Sequence, residues 1–205
     1  MSRKSWLALL CVLCLVGGRP LFSQSRTVRF HAGAGLWLPL ENTLDSGIQT
    51  GFGFSLAVIR RVDLVFDFKI GKLGILDAEH SLDGELSVSP FLIAARFHLF
   101  PERNWDVYGL FGGGVIFSSI RNRDMITIPE SSIRQSAKNG LGILGGAGGS
   151  IRIAPHFAVF LETTLLYRRT LITTTVEEVN GGRQEEDWPF NISLTAISVG
   201  LRYTY

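Results

Sequence analysis

The chain has little of several things a soluble enzyme usually carries. It holds only two cysteines in 205 residues, Cys11 and Cys14, and both fall in the first fifteen positions. Everything after them is free of cysteine, which excludes disulfide staples and thiol chemistry there. Charge of one sign is lacking too: 20 Lys and Arg face 18 Asp and Glu. Such a balance offers no electrostatic footprint for nucleic acid, and none is expected as a partner. Long apolar runs are missing as well. The best candidates, 107–120 and 141–153, are too short and too rich in glycine for a membrane helix. Finally, the sequence contains no G-x-S-x-G, no metal-spaced histidine pair and no phosphate-binding glycine loop. The one His/Ser neighbour pair is His80-Ser81, and adjacent side chains in a strand point apart. The expectation is therefore no enzyme, no cofactor and no metal.

What is present begins with an address. Arg3 and Lys4 precede an apolar run, Trp6 to Val16, that Gly17, Gly18 and Pro20 then break. Basic residues before a run of this length describe a secretory signal peptide rather than a membrane span. Residues 1–23 are expected to be removed, with Ser23 before the cut, although Leu21 fits the −3 place poorly. Removal takes away three basic residues, leaving 17 against 18 acids, so the net charge of the remainder is −1. Residues 24–205 form the expected single domain.

That domain alternates with a period of two. In 62–70, Val62, Leu64, Phe66, Phe68 and Ile70 share one face of a strand, and Asp63, Asp67 and Lys69 the other. Similar segments begin near Val28, Gly51, Phe91, Val107, Leu141, Phe157 and Ile197, making eight. They run to roughly 10–16 residues, against about 5–6 for an ordinary strand. A tilted strand needs about 9–11 to cross a bilayer.

The connections alternate long and short. Residues 39–47, 73–82, 119–137 and 173–190 are long; Arg60-Arg61, 100–104 and 154–156 are short. Membrane barrels have short periplasmic turns and long extracellular loops. Aromatic residues collect near segment ends: Phe30, Phe97, Trp105, Phe157, Tyr203 and Tyr205 at one rim, and Phe117, Tyr167 and Phe190 at the other. Interfacial girdles have this placement.

On these grounds residues 27–205 resemble the small eight-stranded outer-membrane barrels of the OmpA, OmpX and OmpW type. The last segment, Ile197 to Tyr205, carries part of the resemblance, ending in an aromatic residue, here Tyr where Phe is usual. The resemblance implies an all-β, antiparallel, up-and-down transmembrane barrel in a bacterial outer membrane, with outer-membrane lipids around it. It also implies that the barrel-assembly machinery reads Leu201, Tyr203 and Tyr205. A soluble, lipocalin-like periplasmic barrel is the alternative fold, with apolar residues inside and charges outside.

With apolar residues facing lipid, the polar set faces the lumen: Arg29, His31, Asp63, Asp67, Lys69, Arg96, His98, Asp106, Arg152, Glu162, Arg168 and Arg202. An eight-stranded barrel is about wide enough to be filled by side chains. A mixed network could plug it, or leave a narrow path biased toward anions by its arginines. Inner glycines such as Gly51, Gly53, Gly112, Gly114, Gly142, Gly146 and Gly148 either make room for long side chains or leave a cavity. The acidic segment 173–190 lacks calcium-loop spacing, so a solvated surface is the simpler expectation. Two functions follow: a surface-exposed structural or interaction protein whose loops 119–137 and 173–190 meet host or environmental ligands, or a narrow channel for small solutes.

Overall fold

The computed structural model describes residues 27–77, 82–122, 131–178 and 183–205. The expected signal peptide and the His80-Ser81 pair lie outside them. Eleven strands are described: β1 (Val28–Pro39), β2 (Gly47–Ile59), β3 (Val62–Asp77), β4 (Leu82–His98), β5 (Trp105–Asn122), β6 (Ser131–Ala137), β7 (Gly140–Ala154), β8 (Phe157–Tyr167), β9 (Arg169–Glu178), β10 (Arg183–Asn191) and β11 (Leu194–Thr204). Eight of them close an antiparallel barrel in the order β1-β11-β8-β7-β5-β4-β3-β2. Closure by β1 against β11, from Arg29↔Thr204 to Pro39↔Leu194, leaves the barrel without a free edge.

Alternation decides which way each strand faces. Phe52, Phe111, Leu141, Leu161 and Leu201 are all more than half exposed on the outer wall. Phe54 stacks on Phe66 at 4.8 Å between ring centroids, and Phe52 meets Phe68 at 5.6 Å. Such cross-strand pairs contribute roughly 0.2–1 kcal/mol each. A closed barrel with this outer surface is stable in a hydrocarbon layer, because closure pairs each wall strand on both sides. At the short-turn end, Phe157 lies 5.1 Å from Tyr203, and Phe100 4.7 Å from Trp105. These rings form one interfacial girdle.

Two expectations need correction. The stretches 119–137 and 173–190 are not plain loops. Within them β5 continues to Asn122, and β6, β9 and β10 build a separate three-stranded sheet in the order β10-β9-β6. The stretch 73–82 likewise shortens, because β3 runs to Asp77 and β4 starts at Leu82. Polar composition suggested loops, but Thr173, Thr174 and Thr175 are β-branched and suit a solvated strand. Phe190 is not an interfacial rim residue. It is buried among apolar side chains where that sheet joins the barrel.

The wall is irregular at three places: the register shifts at Ala57/Ile59 and at Arg152/Ala154, beside two short turns, and a gap in the β3–β4 ladder. Between Phe68↔Phe91 and Gly71↔Val88 the β3–β4 pairing pauses, next to Pro90, which has no N–H to offer.

Candidate functional site: the filled lumen

The interior has two storeys. The lower one, toward the short turns and both described chain ends, is polar. Asp63 ion-pairs with Arg29, accepts from Ser55 Oγ at 3.3 Å, and lies 3.1 Å from His98 Nε2. His98 Nδ1 contacts Asp106, whose other oxygen accepts from the Phe100 N–H at 3.0 Å. Further up the lumen, Asp67 meets His31 at 3.3 Å and Lys69 at 3.4 Å. Glu162 lies between Lys69 (3.8 Å) and Arg96 (3.6 Å) and accepts from Tyr108 Oη at 3.4 Å. Gln49 donates to Ser198 at 2.6 Å.

Tyr108 is the hub that charge counting overlooks. Its ring lies under two guanidinium groups, Arg96 at 4.8 Å and Arg202 at 5.2 Å. Each such contact contributes from about 0.5 to 2 kcal/mol as desolvation grows. Its place on the inner face was legible from its even spacing with Asp106. Its partners come from β4, β8 and β11, which only closure brings together.

The polar set named from the sequence is therefore split by the fold. Arg29, His31, Asp63, Asp67, Lys69, Arg96, His98, Asp106 and Glu162 are joined by ion pairs and, at His31 and His98, by close histidine–carboxylate contacts. Arg202 is buried but its partners are Tyr108 and Ser150 rather than a carboxylate. Arg152 is exposed at the mouth, with no ion pair to a described residue. Arg168 is buried at the opposite end. It donates to Ile116 O at 2.9 Å, Ser118 Oγ at 2.6 Å and Thr170 Oγ1 at 2.9 Å, and also to Lys138 O. Its role is to pin β5, the segment before β7, and β9 where the barrel passes into the outer sheet.

The upper storey is apolar. Trp37, Leu73, Ile75, Leu86, Val88, Ile116, Leu144, Leu166, Ile192 and Leu194 are all buried in one cluster. The expectation of a polar inner face fails here. Glycines make the space. A Cβ on Gly71 would stand 2.5 Å from the Trp37 ring, and one on Gly148 would stand 2.7 Å from the Tyr108 ring. Both distances are shorter than a carbon contact allows, so these inner glycines serve bulky neighbours rather than a void. A small hollow of about 20 Å³ remains at mid-height, lined by His31, Gln49, Asp67, Lys69, Phe160 and Glu162 among others. Among the described residues no group of three or more His, Cys, Asp or Glu could hold a metal ion.

A closed eight-stranded antiparallel barrel with an apolar outer belt, an aromatic girdle and a charged, filled lumen defines the class: a small transmembrane β-barrel of the outer-membrane type. Solved structures agree on the fold. The chain is similar to the outer membrane protein OprG from Pseudomonas aeruginosa, with a TM-score of 0.67 at 13% identity over 90% of this chain and 98% of that one. It is similar to a major outer membrane protein from Thermus thermophilus, at 0.57 and 13% over 89% and 100%. It is also similar to Neisserial surface protein A, at 0.56 and 13% over 88% and 97%. No family model matches the sequence, and no curated protein matches it.

Proposed function

We propose that this chain is a bacterial outer-membrane barrel with a closed lumen, which holds its three-stranded sheet at the cell surface as a contact surface. The observation that carries the reading is the division of labour above. The lumen is occupied by ion pairs below and by packed apolar side chains above, while ordered structure extends beyond the barrel as β6, β9 and β10. Register places Ser136, Thr173 and Asp187 in one row across that sheet, with Arg134, Thr175 and Glu185 in the next. This face is rich in hydroxyl groups and acidic along β10, and it suits a polar macromolecule at the surface. Export through residues 1–23 and assembly through Leu201, Tyr203 and Tyr205 belong to the same reading. Support for the latter is that all three side chains are exposed on or beside the closing strand β11.

The test has two arms. Purified, folded protein in planar bilayers is expected to show no single-channel steps. Cells displaying the chain are compared with cells displaying the Glu185→Lys, Asp187→Lys variant, for adhesion to protein-coated and glycan-coated surfaces. Adhesion that is absent, or unchanged by the variant while both barrels fold, overturns the contact-surface reading.

A second reading, a narrow channel for small solutes, draws support from the mid-height hollow and from a second, wider hollow at the short-turn mouth. Steady conductance from the wild-type protein in the same bilayers would favour it over the closed lumen.

A further inference from the structure

The mouth hollow has about 470 Å³ of space, counted to its open side. Four arginines line it: Arg29, Arg103, Arg152 and Arg202, with His98 and Asp106. Their counter-charges are unequal. Arg29 is neutralised by Asp63. Asp106 is engaged by His98 and by the Phe100 N–H, one on each oxygen. Arg103 rests against the Phe100 and Trp105 rings, 5.3 Å from each, and has no ion pair to a described residue. Arg152 has none either.

Arg202 is the decisive member. It is only 4% exposed, and among the described residues its Nε has no hydrogen-bond partner and no carboxylate pairs with it. Its hydrogen bonds go to hydroxyl oxygens, Tyr108 at 3.3 Å and Ser150 at 3.5 Å, and its guanidinium lies over the Tyr108 and Phe160 rings at 5.2 and 5.5 Å, contacts that carry no full negative charge. A buried guanidinium without an anion is costly. Three cations facing one open hollow thus lack an anion of their own. A guanidinium fork matches the paired oxygens of a phosphate-type group.

From this we infer that the short-turn mouth of the barrel is an oxyanion-binding vestibule, taking a phosphate or phosphate-monoester group between Arg152, Arg103 and Arg202. The inference does not depend on whether the lumen conducts. The group could come from a free periplasmic anion or from a phospholipid headgroup of the adjoining leaflet.

The full chain, folded in a zwitterionic detergent without phosphate, is titrated with inorganic phosphate and followed by calorimetry. Saturable binding is expected, unaffected by an equal concentration of chloride. Arg152→Ala should weaken it about tenfold, the effect of losing about 1.4 kcal/mol. Arg202→Lys, which keeps the charge but loses the fork, should also weaken it. Arg60→Ala, at an exposed pair with Glu102, is expected to change nothing. Repeating the titration in phospholipid nanodiscs separates the sources. Retained phosphate binding identifies a soluble anion; phosphate binding lost there, with phospholipid co-purifying from detergent, identifies a headgroup. No saturable binding in detergent, or equal affinity in Arg152→Ala, overturns the vestibule, provided the variant keeps heat-modifiable gel migration.

Discussion

The lower and upper storeys of the lumen solve the same problem by opposite means. Both must fill a cylinder that eight strands enclose. The lower storey fills it with charges that tolerate burial because they meet one another, at distances up to 3.8 Å around Glu162. The upper storey fills it with Trp37 and aliphatic side chains, which need no partner, only shape. A charged filling is specific but fragile to loss of one member, since the remainder is left unpaired. An apolar filling degrades with the volume removed.

Perturbing each storey by itself sharpens the contrast. The largest effect is expected from Trp37→Ala, which empties the centre of the upper cluster and should cost about 3–5 kcal/mol. Denaturant titration of the folded, heat-modifiable form reads it, and the loss should be insensitive to salt. Glu162→Gln should cost about 3 kcal/mol by leaving Lys69 and Arg96 facing each other across a neutral amide. The distinguishing result is rescue: pairing it with Lys69→Met should recover part of the loss, whereas no second substitution of charge should rescue Trp37→Ala. A Glu162→Gln variant as stable as the wild type would show that the ion pairs contribute nothing to holding the lower storey.

Arg168→Met should act locally, at about 1–3 kcal/mol for the buried acceptors it abandons. Hydrogen exchange should accelerate in β9 and β10 with the barrel strands unchanged. Uniform acceleration would place Arg168 in the barrel's global stability instead.

The smallest effect is expected on the outer sheet. Asp187 accepts from Thr173 at 2.5 Å and pairs with Lys138 at 2.9 Å, and these partners hold its carboxyl below the ordinary Asp value. Its contribution is complete above the ordinary value of about 4 and fades as the pH falls through the lowered one. Both side chains are exposed and water screens the pair, so Asp187→Asn should leave the unfolding midpoint unmoved. Carbon NMR titration should show the low midpoint, moving up in Thr173→Val. An ordinary midpoint in the wild type would remove the interaction.

The legibility of these regions in the sequence follows the same division. Alternation, as from Phe66 to Ile70, fixes opposite faces without any knowledge of the fold. Where it lapses into consecutive apolar residues, at Leu36-Trp37-Leu38, Val115-Ile116-Phe117 and Leu165-Leu166-Tyr167, both faces are apolar. Those three fall at the upper end and are the sequence trace of the apolar storey that the polar-inside expectation passed over, while the same lapse at Leu64-Val65-Phe66 and Phe91-Leu92-Ile93 places single apolar side chains, Val65 and Leu92, among the charges lower down. The outer sheet left a weaker trace, because threonine and acidic residues read equally as loop or as solvated strand until β9 is seen pairing with β6 and β10.

The sequence by itself determined the number of wall strands, which residues share a face and the end at which the turns are short. These depend on a period of two and on turn length, which are local properties. Tertiary structure alone decided which buried charges meet. Asp63 and His98 lie on β3 and β4, Glu162 on β8, and Arg202 on β11; only the closed register sets them across the lumen from one another. It likewise decided that Arg168 serves backbone carbonyls rather than a carboxylate, and that Arg152, Arg103 and Arg202 face one hollow. Parity names a face, but height along the barrel and the distance across it come from closure.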